Sequence, residues 1–365
     1  MKIMAPVLHG LGEPMRVQEV ELDDPKAGEV LVKMTASGIC HSCLHAQDGT
    51  WGPTTALPII LGDEGSGTVE KVGPGVDHLK PGDPVVISWT PTCGRCHYCV
   101  VGRSNLCSAK AGPGLLTDGT TRFHQNGTRV HHMGAVATYS PWTVVGASNA
   151  IKIRPEMPLD FAALIGCSVT TGVGSVLYAA KVGPGESLAI FGCGGVGLNA
   201  IQGGRLVSAW PLIAVDISDE KLEIAKSLGA THTINPTRED VGARILALTG
   251  RGLDYAVVTV GNAAATIQAW ETMARGGTCV VIGVGRADEP LPIDARYLVT
   301  GERKLIGSSY GSARPLEDFP RFVNLYLDGK LKIDELVTRR YQLDEVEQAH
   351  KDLAAGTLAR GLLVF

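Results

Sequence analysis

The chain has 365 residues, of which 44% are hydrophobic and 19% are charged, and its formal net charge is −4. A chain of this length exceeds one ordinary hydrophobic core and predicts two domains. The near-neutral charge, without a run of lysine or arginine, argues against nucleic acid or an anionic membrane as a partner, so a small neutral or acidic substrate fits better. The N-terminus has no basic start followed by a long apolar segment, and no stretch approaches the roughly 20 apolar residues of a membrane span. We therefore expect a cytoplasmic protein.

The first 150 residues contain short β-rich runs bounded by glycine and proline, for example 29–34, 67–72 and 84–87. Short strands broken by turn residues are typical of an antiparallel β domain. We therefore predict that the N-terminal part of the chain is such a domain.

From about residue 187 the pattern changes to apolar strands that alternate with helical stretches. The predicted strands are 188–191, 212–215, 255–258 and 278–282, and the predicted helices include 219–228 and 263–273. This alternation predicts an α/β region with a parallel, doubly wound sheet. Near the C-terminus we predict a helix at 343–355 and a last strand at 362–365.

A glycine-rich segment, Gly192-Cys193-Gly194-Gly195-Val196-Gly197, lies between the first predicted strand of this sheet and the helix that follows. Gly192 permits a tight turn, Gly194 lets backbone amides approach a pyrophosphate, and Gly197 allows close packing of helix on strand. Asp216 follows Gly197 by 19 residues and would hold the adenosine ribose. No arginine follows Asp216 at once, which favours NAD over NADP. The alternative is a glycine-rich turn that binds no nucleotide.

Four of the nine cysteines lie in one short run, at Cys93, Cys96, Cys99 and Cys107. Disulfides are typical of small secreted proteins, whereas four thiols at this spacing suit a closed, tetrahedral, structural zinc site. An iron–sulfur cluster or free thiols are the alternatives. A catalytic role is not expected, because four thiolates leave no ligand position open.

Three further motifs complete the pattern: Gly38-Ile39-Cys40-His41-Ser42, Gly62-Asp63-Glu64-Gly65 and the segment 164–172 around Cys167. With the features above, they make the whole chain resemble the medium-chain, zinc-dependent alcohol dehydrogenases. The long segment 109–138 resembles the branch that includes glutathione-dependent formaldehyde dehydrogenases and acceptor-dependent actinobacterial enzymes. The resemblance implies a homodimer.

The resemblance also implies the domain organisation. A GroES-like catalytic domain would span 1–168, with the zinc lobe at 93–107, and a Rossmann NAD-binding domain would span 169–310. Residues 311–365 would return to the catalytic domain.

By the same resemblance, Cys40, Asp63 and Cys167 are the ligands of a catalytic zinc, with Glu64 behind the metal or transiently on it. Such a zinc would bind the substrate oxygen in its fourth position and lower the pKa of the alcohol. Ser42 would take the proton, and His45 would pass it to water. The alternative for Ser42 and His45 is an ordinary polar loop.

The chain departs from the family pattern at two positions. Asp63 stands where the family has a zinc-binding histidine, and Cys43 stands where the family has the aspartate that orients this histidine. Two thiolates and one carboxylate exceed the +2 charge of zinc by one, so alkoxide formation should be harder and oxidation should need a higher pH. Alternatively, Cys43 turns toward the metal in a rearranged ligand set, or the site holds no metal.

Further roles are implied by matching positions. His41 and Arg360 match pyrophosphate contacts, and Lys221 matches an adenosine-ribose contact. Thr171 matches a residue near the nicotinamide, and Val284 follows the strand that would support it. The charged residues among these are alternatively solvated surface groups.

Trp51 and Trp89 match positions that line the substrate channel of the family. Large aromatic side chains restrict branched substrates and offer flat faces to planar groups, so an aromatic or allylic primary alcohol is the expected substrate. The alternative is that both tryptophans only pack in the core.

Three hypotheses for function therefore stand. The first is an NAD-dependent alcohol dehydrogenase with a structural zinc and an unusual catalytic zinc site. The second is a nicotinoprotein that keeps NAD bound and passes the reducing equivalents to an external acceptor. The third is a non-catalytic NAD-binding or redox-sensing protein in which Asp63 marks an inactive site.

Overall fold

The computed structural model describes residues 1–52, 55–109, 112–286 and 288–365. The chain forms two compact units: Met1–Ser168 with Arg314–Phe365, and Val169–Ala313. The C-terminal segment thus belongs to the same unit as the N-terminal part of the chain. Two residues of the predicted long segment 109–138, at 110 and 111, lie outside the described residues.

The strands are numbered in chain order: β1 Lys2–Val7, β2 Arg16–Leu22, β3 Glu29–Gly38, β4 Ile59–Ile60, β5 Gly65–Val72, β6 Pro84–Ile87, β7 Phe123–Gln125, β8 Thr128–His132, β9 Trp142–Gly146, β10 Ala150–Lys152, β11 Leu188–Phe191, β12 Leu212–Val215, β13 His232–Ile234, β14 Leu253–Val258, β15 Met273–Val281, β16 Lys304–Gly307, β17 Val337–Tyr341 and β18 Arg360–Val364.

The helices are α1 His41–Asp48, α2 His97–Val100, α3 Leu159–Ala162, α4 Ser168–Gly174, α5 Gly195–Leu206, α6 Asp219–Leu228, α7 Val241–Thr249, α8 Ala263–Glu271, α9 Ala295–Thr300, α10 Pro315–Leu327 and α11 Val346–Ala354.

The first unit contains two sheets, with strand orders β1-β2-β7-β8-β4 and β10-β6-β5-β3-β18-β17, and β9 also pairs with β3. Most neighbouring strands are antiparallel, as predicted, but β4 with β8 and β17 with β18 are parallel. The long strand β3 is buried along most of its length because it pairs with β5, β9 and β18. Strand β3 ends at Gly38, so Cys40 and helix α1 follow it closely in the chain.

The second unit contains a parallel sheet of order β13-β12-β11-β14-β15-β16. Strands β11 and β12 are fully buried apolar runs, as expected for a sheet covered by helices on both faces. The strand order reverses between β11 and β14, and in such sheets ligands bind at this switch point, beyond the carboxyl ends of the strands. The predicted doubly wound parallel sheet is therefore confirmed.

The predicted elements agree with the structure most closely where turn residues bound them. The predicted helix 263–273 ends at Glu271 as α8, and Met273 instead begins β15. The prediction was wrong there because the apolar spacing of α8 continues past the end of the helix. The C-terminal helix α11 begins at Val346, three residues later than predicted, after a 3-10 turn at Leu343–Glu345.

No single helix in the described ranges is long and apolar enough to cross a membrane. A bent pair of helical segments, Leu159–Gly166 with Ser168–Ala180, passes that test only jointly, by length and composition.

Candidate active site and metal centres

The cysteine-rich lobe brings four thiols to within 4.8 Å of one another. The Sγ atoms of Cys93 and Cys99 are 4.0 Å apart, and those of Cys96 and Cys107 are 3.9 Å apart. A tetrahedral zinc ion with Zn–S bonds of about 2.3 Å requires S···S distances of about 3.8 Å, so the residues fit this ion. All nine cysteines of the chain are free thiols.

The electrostatics of the lobe also suit a cation. Backbone hydrogen bonds from Ser108 and Cys99 lower the pKa of Cys96 to about 5, and N–H groups that point at sulfur favour the thiolate. Burial raises the pKa of Cys99 to about 12. A bound metal would remove this asymmetry, because every ligand thiol must be deprotonated.

A second cluster, formed by Cys40, Asp63 and Cys167, lies in the interior of the first unit. The ligand atoms of these residues also lie within 4.8 Å of one another, and all three side chains are buried. Three protein ligands leave one position of a tetrahedral ion open, which is the arrangement of a catalytic site rather than a structural one. The donor set of two sulfurs and one oxygen fits zinc.

Local backbone geometry explains why Asp63 reaches this cluster. Gly62 connects β4 to the turn before β5 with a φ of +99°. A Cβ atom at Gly62 would also collide with the backbone nitrogen of Tyr139. Glycine is therefore needed at this position, both for its conformation and for the close approach of the two chain segments.

Ionisation of all three side chains of this cluster would place more negative charge there than a buried environment favours. Burial, and then the nearby Cys40 thiolate, raise the pKa of Asp63 well above its usual range. The hydrogen bond with Cys167 lowers the pKa of Cys40, and the same bond together with burial raises the pKa of Cys167. A cation at this point would favour the ionised form of all three groups.

Both carboxylate oxygens of Glu64 are engaged by the protein. Its Oε1 accepts hydrogen bonds from the backbone N–H and the hydroxyl of Ser168, both at 2.7 Å, and its Oε2 forms an ion pair with Arg360. Glu64 and Arg360 are both buried. The structure thus places Arg360 behind the cluster, and its contact with a pyrophosphate stays a prediction.

Helix α1 carries the residues of the predicted proton relay. Ser42 lies beside the Cys40 sulfur and the Asp63 carboxylate and lowers the pKa of both groups. The ring centroid of His45 lies 5.8 Å from that of Trp51 and 6.1 Å from that of His41. The Nδ1 of His45 is buried without a hydrogen-bond partner among the described residues, so it retains the capacity to bond a ligand hydroxyl.

The glycine-rich segment has the local geometry of a nucleotide-binding turn. Gly192 has a φ of +94°, and a Cβ at Gly197 would collide with the carbonyl oxygen of Gly192. Gly194 is the N-cap of α5, and a Cβ there would meet no atom within 4 Å. The backbone is therefore open at the helix N-terminus, where a pyrophosphate fits.

Asp216 lies at the carboxyl end of β12, as the fingerprint requires. Its carboxylate accepts hydrogen bonds from the backbone N–H groups of Cys193 at 2.6 Å and Ser218 at 2.9 Å. These bonds hold the carboxylate beside the glycine-rich turn, and each oxygen keeps a lone pair for a ribose hydroxyl.

The other predicted residues occupy the following places. His41 is the exposed first residue of α1, Thr171 is buried on α4, Lys221 lies in the first turn of α6, and Val284 is exposed just beyond β15. Their contacts with a cofactor stay predictions.

Trp89 lines a cavity of about 360 Å³ in the first unit, together with Leu115, Leu116 and Asn149. Trp51 is not among the described residues that line this cavity, and its indole lies beside His45 instead. The two tryptophans therefore differ in their surroundings, although both were predicted to line one channel.

Several residues that complete the site were not predicted from the sequence. Ser168 lies within the motif at 164–172, so its position next to Cys167 was a usable signal. Tyr139, His350 and Gln47 reach the region behind Asp63 from distant parts of the chain, and no local pattern marks them.

Comparisons with known proteins identify the family. Residues 26–155 match the alcohol dehydrogenase GroES-like domain, and residues 195–328 match the zinc-binding dehydrogenase family. Over its whole length the chain is 40% identical to the NDMA-dependent alcohol dehydrogenase of Amycolatopsis methanolica, covering 99% of that protein. It is also 40% identical to the S-(hydroxymethyl)glutathione dehydrogenase of Paracoccus denitrificans, with 100% of both chains covered.

The chain belongs to the medium-chain, zinc-dependent alcohol dehydrogenases. Among solved structures, benzyl alcohol dehydrogenase from Acinetobacter calcoaceticus superimposes with a TM-score of 0.94 at 32% identity, over 100% of this chain and 99% of the other. This alcohol dehydrogenase is thus an oxidoreductase of small-molecule alcohols, with zinc and NAD as cofactors. The hypothesis of a non-catalytic protein is not supported.

Proposed function

We propose that this enzyme transfers hydride between NAD and a primary alcohol or its aldehyde, at a zinc ion held by Cys40, Asp63 and Cys167. The observation that carries the proposal is the buried convergence of these three ligand atoms within 4.8 Å. When bound there, zinc supplies Lewis acidity that lowers the pKa of the substrate hydroxyl.

The residues of the chain have separate roles in this proposal. Ser42, which lies beside Asp63 and lowers the pKa of that carboxyl, accepts the substrate proton, and His45 passes it on through its unpartnered Nδ1. The buried ion pair of Glu64 with Arg360 stabilises the protein behind the three ligands. The Gly192 to Gly197 turn and Asp216 bind NAD.

The substrate class is proposed from Trp51, whose indole lies beside His45, and from the match of Trp51 and Trp89 to channel positions of the family. Large aromatic side chains favour a flat group over a branched one. The fold similarity to a benzyl alcohol dehydrogenase is consistent with an aromatic substrate. Aromatic and allylic primary alcohols are therefore the first compounds to assay.

A second candidate function is that of a nicotinoprotein, in which NAD stays bound and an external acceptor removes the reducing equivalents. The full-length similarity to an NDMA-dependent alcohol dehydrogenase favours this candidate. Gel filtration separates the two: nucleotide that co-elutes with the protein supports the nicotinoprotein, and nucleotide-free protein that is active with added NAD supports the dehydrogenase.

Metal analysis of the purified protein tests the zinc assignment. Two zinc ions per chain are expected, because both thiol clusters have zinc-binding geometry. One ion per chain, retained when Cys40 is replaced by alanine, would remove the catalytic zinc from the proposal.

The charge of Asp63 gives a second test. Three anionic ligands weaken zinc as a Lewis acid, so the double variant Asp63→His with Cys43→Asp should raise alcohol oxidation near neutral pH. The pH profile of kcat should shift to lower pH in this variant. A drop in kcat with the metal content unchanged would show that Asp63 is adapted to a different reaction.

A further inference from the structure

The cavity beside Trp89 has no role in the proposed reaction. Its volume of about 360 Å³ lies within the range of small-molecule sites. Among the described residues that line it, Trp89 is the only predicted site residue, and neither a metal ligand nor a relay residue is present. The first unit therefore contains a concave site that neither thiol cluster explains.

The walls of the cavity are mostly apolar. Trp89, Pro91, Leu115 and Leu116 supply large apolar surfaces, and none of the described lining residues is charged. An apolar group gains free energy when it leaves water for such a space, whereas an ion would lose its hydration without a partner. The cavity therefore fits a neutral molecule with an apolar body.

Backbone hydrogen bonds fix the segment that carries the two leucines. The N–H of Leu116 donates to the carbonyl oxygen of Thr120 at 2.9 Å. The carbonyl oxygen of Gly114 accepts from the N–H of His132, also at 2.9 Å. This wall is therefore already in place, so a ligand would not have to order it on binding.

One buried amide, that of Asn149, has a fixed orientation in the cavity wall. Asn149 is 2% exposed, and its Nδ2 lies 2.7 Å from the carbonyl oxygen of Ser88. A carbonyl oxygen can only accept, so the amide cannot be reversed and its Oδ1 points away from Ser88. The N–H of Ser88 also donates to the backbone carbonyl of Asn149 at 2.8 Å, which holds the two residues together.

The Oδ1 of Asn149 is an acceptor that the protein leaves open. It has no hydrogen-bond partner among the described residues. Gly146, which also lines the cavity, has no side chain to cover it, and a Cβ atom at Gly146 would lie 3.0 Å from this oxygen. A buried amide oxygen without a partner favours a ligand that donates to it.

We propose that this cavity is a second small-molecule site, which takes a neutral, apolar molecule with one hydroxyl or N–H group. The donor of the ligand bonds Oδ1 of Asn149, and its apolar body packs against Trp89 and the two leucines. Small alcohols, phenols and indoles have this form. No ligand of either thiol cluster takes part, so the proposal does not depend on the catalytic zinc.

Isothermal titration calorimetry with indole and indene tests the proposal on the full-length enzyme as purified. Indole has one N–H donor, and it has no hydroxyl that could bind a metal or be oxidised. Indene has nearly the same shape but lacks the donor. The ratio of their two Kd values therefore reports the hydrogen bond, and its change between variants locates that bond.

Two variants should change this ratio. Gly146 has a φ of −58°, which accepts a side chain, so Gly146→Ala places a methyl group over Oδ1 without backbone strain. It should weaken the binding of indole relative to indene about tenfold, which corresponds to about 1.4 kcal/mol for one hydrogen bond. Asn149→Leu removes the oxygen and should change the ratio equally. Because both probes are measured on one protein, a general loss of stability does not alter the ratio.

Gly183→Ala is the matched control. Its Cβ atom would lie 3.1 Å from Oε2 of Glu186, so it also brings a methyl group close to a side-chain oxygen, but outside the cavity. The ratio of the two Kd values should equal that of the wild type. Cys40→Ala, which removes a ligand of the second cluster, should likewise leave the binding of both probes unchanged.

Three results would overturn the proposal. The first is that neither probe binds up to its solubility limit. The second is an unchanged ratio in both Gly146→Ala and Asn149→Leu, because the N–H of indole would then have another partner. The third is loss of indole binding in Cys40→Ala, which would place the probe at the second cluster instead of in the cavity.

Discussion

The two thiol clusters of the first unit differ in what holds them together. In the cysteine-rich lobe, Cys93, Cys96 and Cys99 are half-buried, and the ligands lie on turns and on the four-residue helix α2. In the second cluster, Cys40, Asp63 and Cys167 are buried, and the neighbouring Glu64 forms a buried ion pair with Arg360. The first arrangement depends on its metal, and the second is largely built by the protein.

This difference also explains why one cluster tolerates an unusual ligand. The described partners of the lobe thiols include backbone N–H groups, such as that of Cys96 on the Cys93 sulfur, and such groups favour a thiolate. Asp63, in contrast, has the Cys43 sulfur 3.7 Å from its Oδ1, and the neighbouring Glu64 has its own cation in Arg360. A carboxylate at this position therefore has polar neighbours supplied by the protein.

Loss of one ligand from the lobe should have the largest effect. Cys107→Ser should remove the metal of the lobe and lower the stability of the first unit by several kcal/mol, since structural zinc contributes roughly 10–16 kcal/mol of binding in small domains. Metal analysis and urea unfolding measure both effects. Cys279→Ser, at a buried thiol outside either cluster, should leave the metal content unchanged. An unchanged metal content in Cys107→Ser would contradict the assignment of the lobe.

Loss of a charged partner next to the second cluster should lower the stability of the protein, an effect that has no counterpart in the lobe. Glu64→Gln leaves the Arg360 guanidinium buried without its counter-charge, which should cost about 3–5 kcal/mol of stability. Glu156→Gln removes an exposed partner of Arg154 and is the control, with the unfolding midpoint expected to stay nearly unchanged. Equal effects of the two variants would show that the buried ion pair does not support the cluster.

Sequence analysis predicted the parts of the site that depend on local geometry. Gly192 adopts the positive φ value that the predicted tight turn requires, and the spacing of the lobe cysteines was sufficient to bring four sulfurs together. Strand β6 agreed residue for residue, because a proline and polar turns bound it.

The remaining parts depend on contacts between distant segments. Arg360 meets Glu64 across 296 residues, and its sequence context gave no sign of this pairing. The same holds for Tyr139 and His350, which look like ordinary core and helix residues in the sequence. Cys43 was singled out as a departure from the family pattern, but its neighbours Asp63 and Met133 come from the tertiary structure.

The smallest expected effect is on the pH dependence of stability. Because burial lowers the pKa of His350 to about 4 from 6.5, unfolding takes up a proton between these pH values, and the free energy of unfolding falls as the pH is lowered through this range. His350→Gln should flatten the dependence by at most about 1.4 kcal/mol per pH unit. Urea unfolding at several pH values between 4 and 7 measures this slope.

His132 provides a matched comparison, because it is also buried and its pKa is lowered to about 3 by burial, and it accepts a hydrogen bond from the backbone N–H of Arg122. His132→Gln should therefore flatten the same slope. A slope that is unchanged in both histidine variants would contradict burial of neutral imidazoles as the cause of the pH dependence.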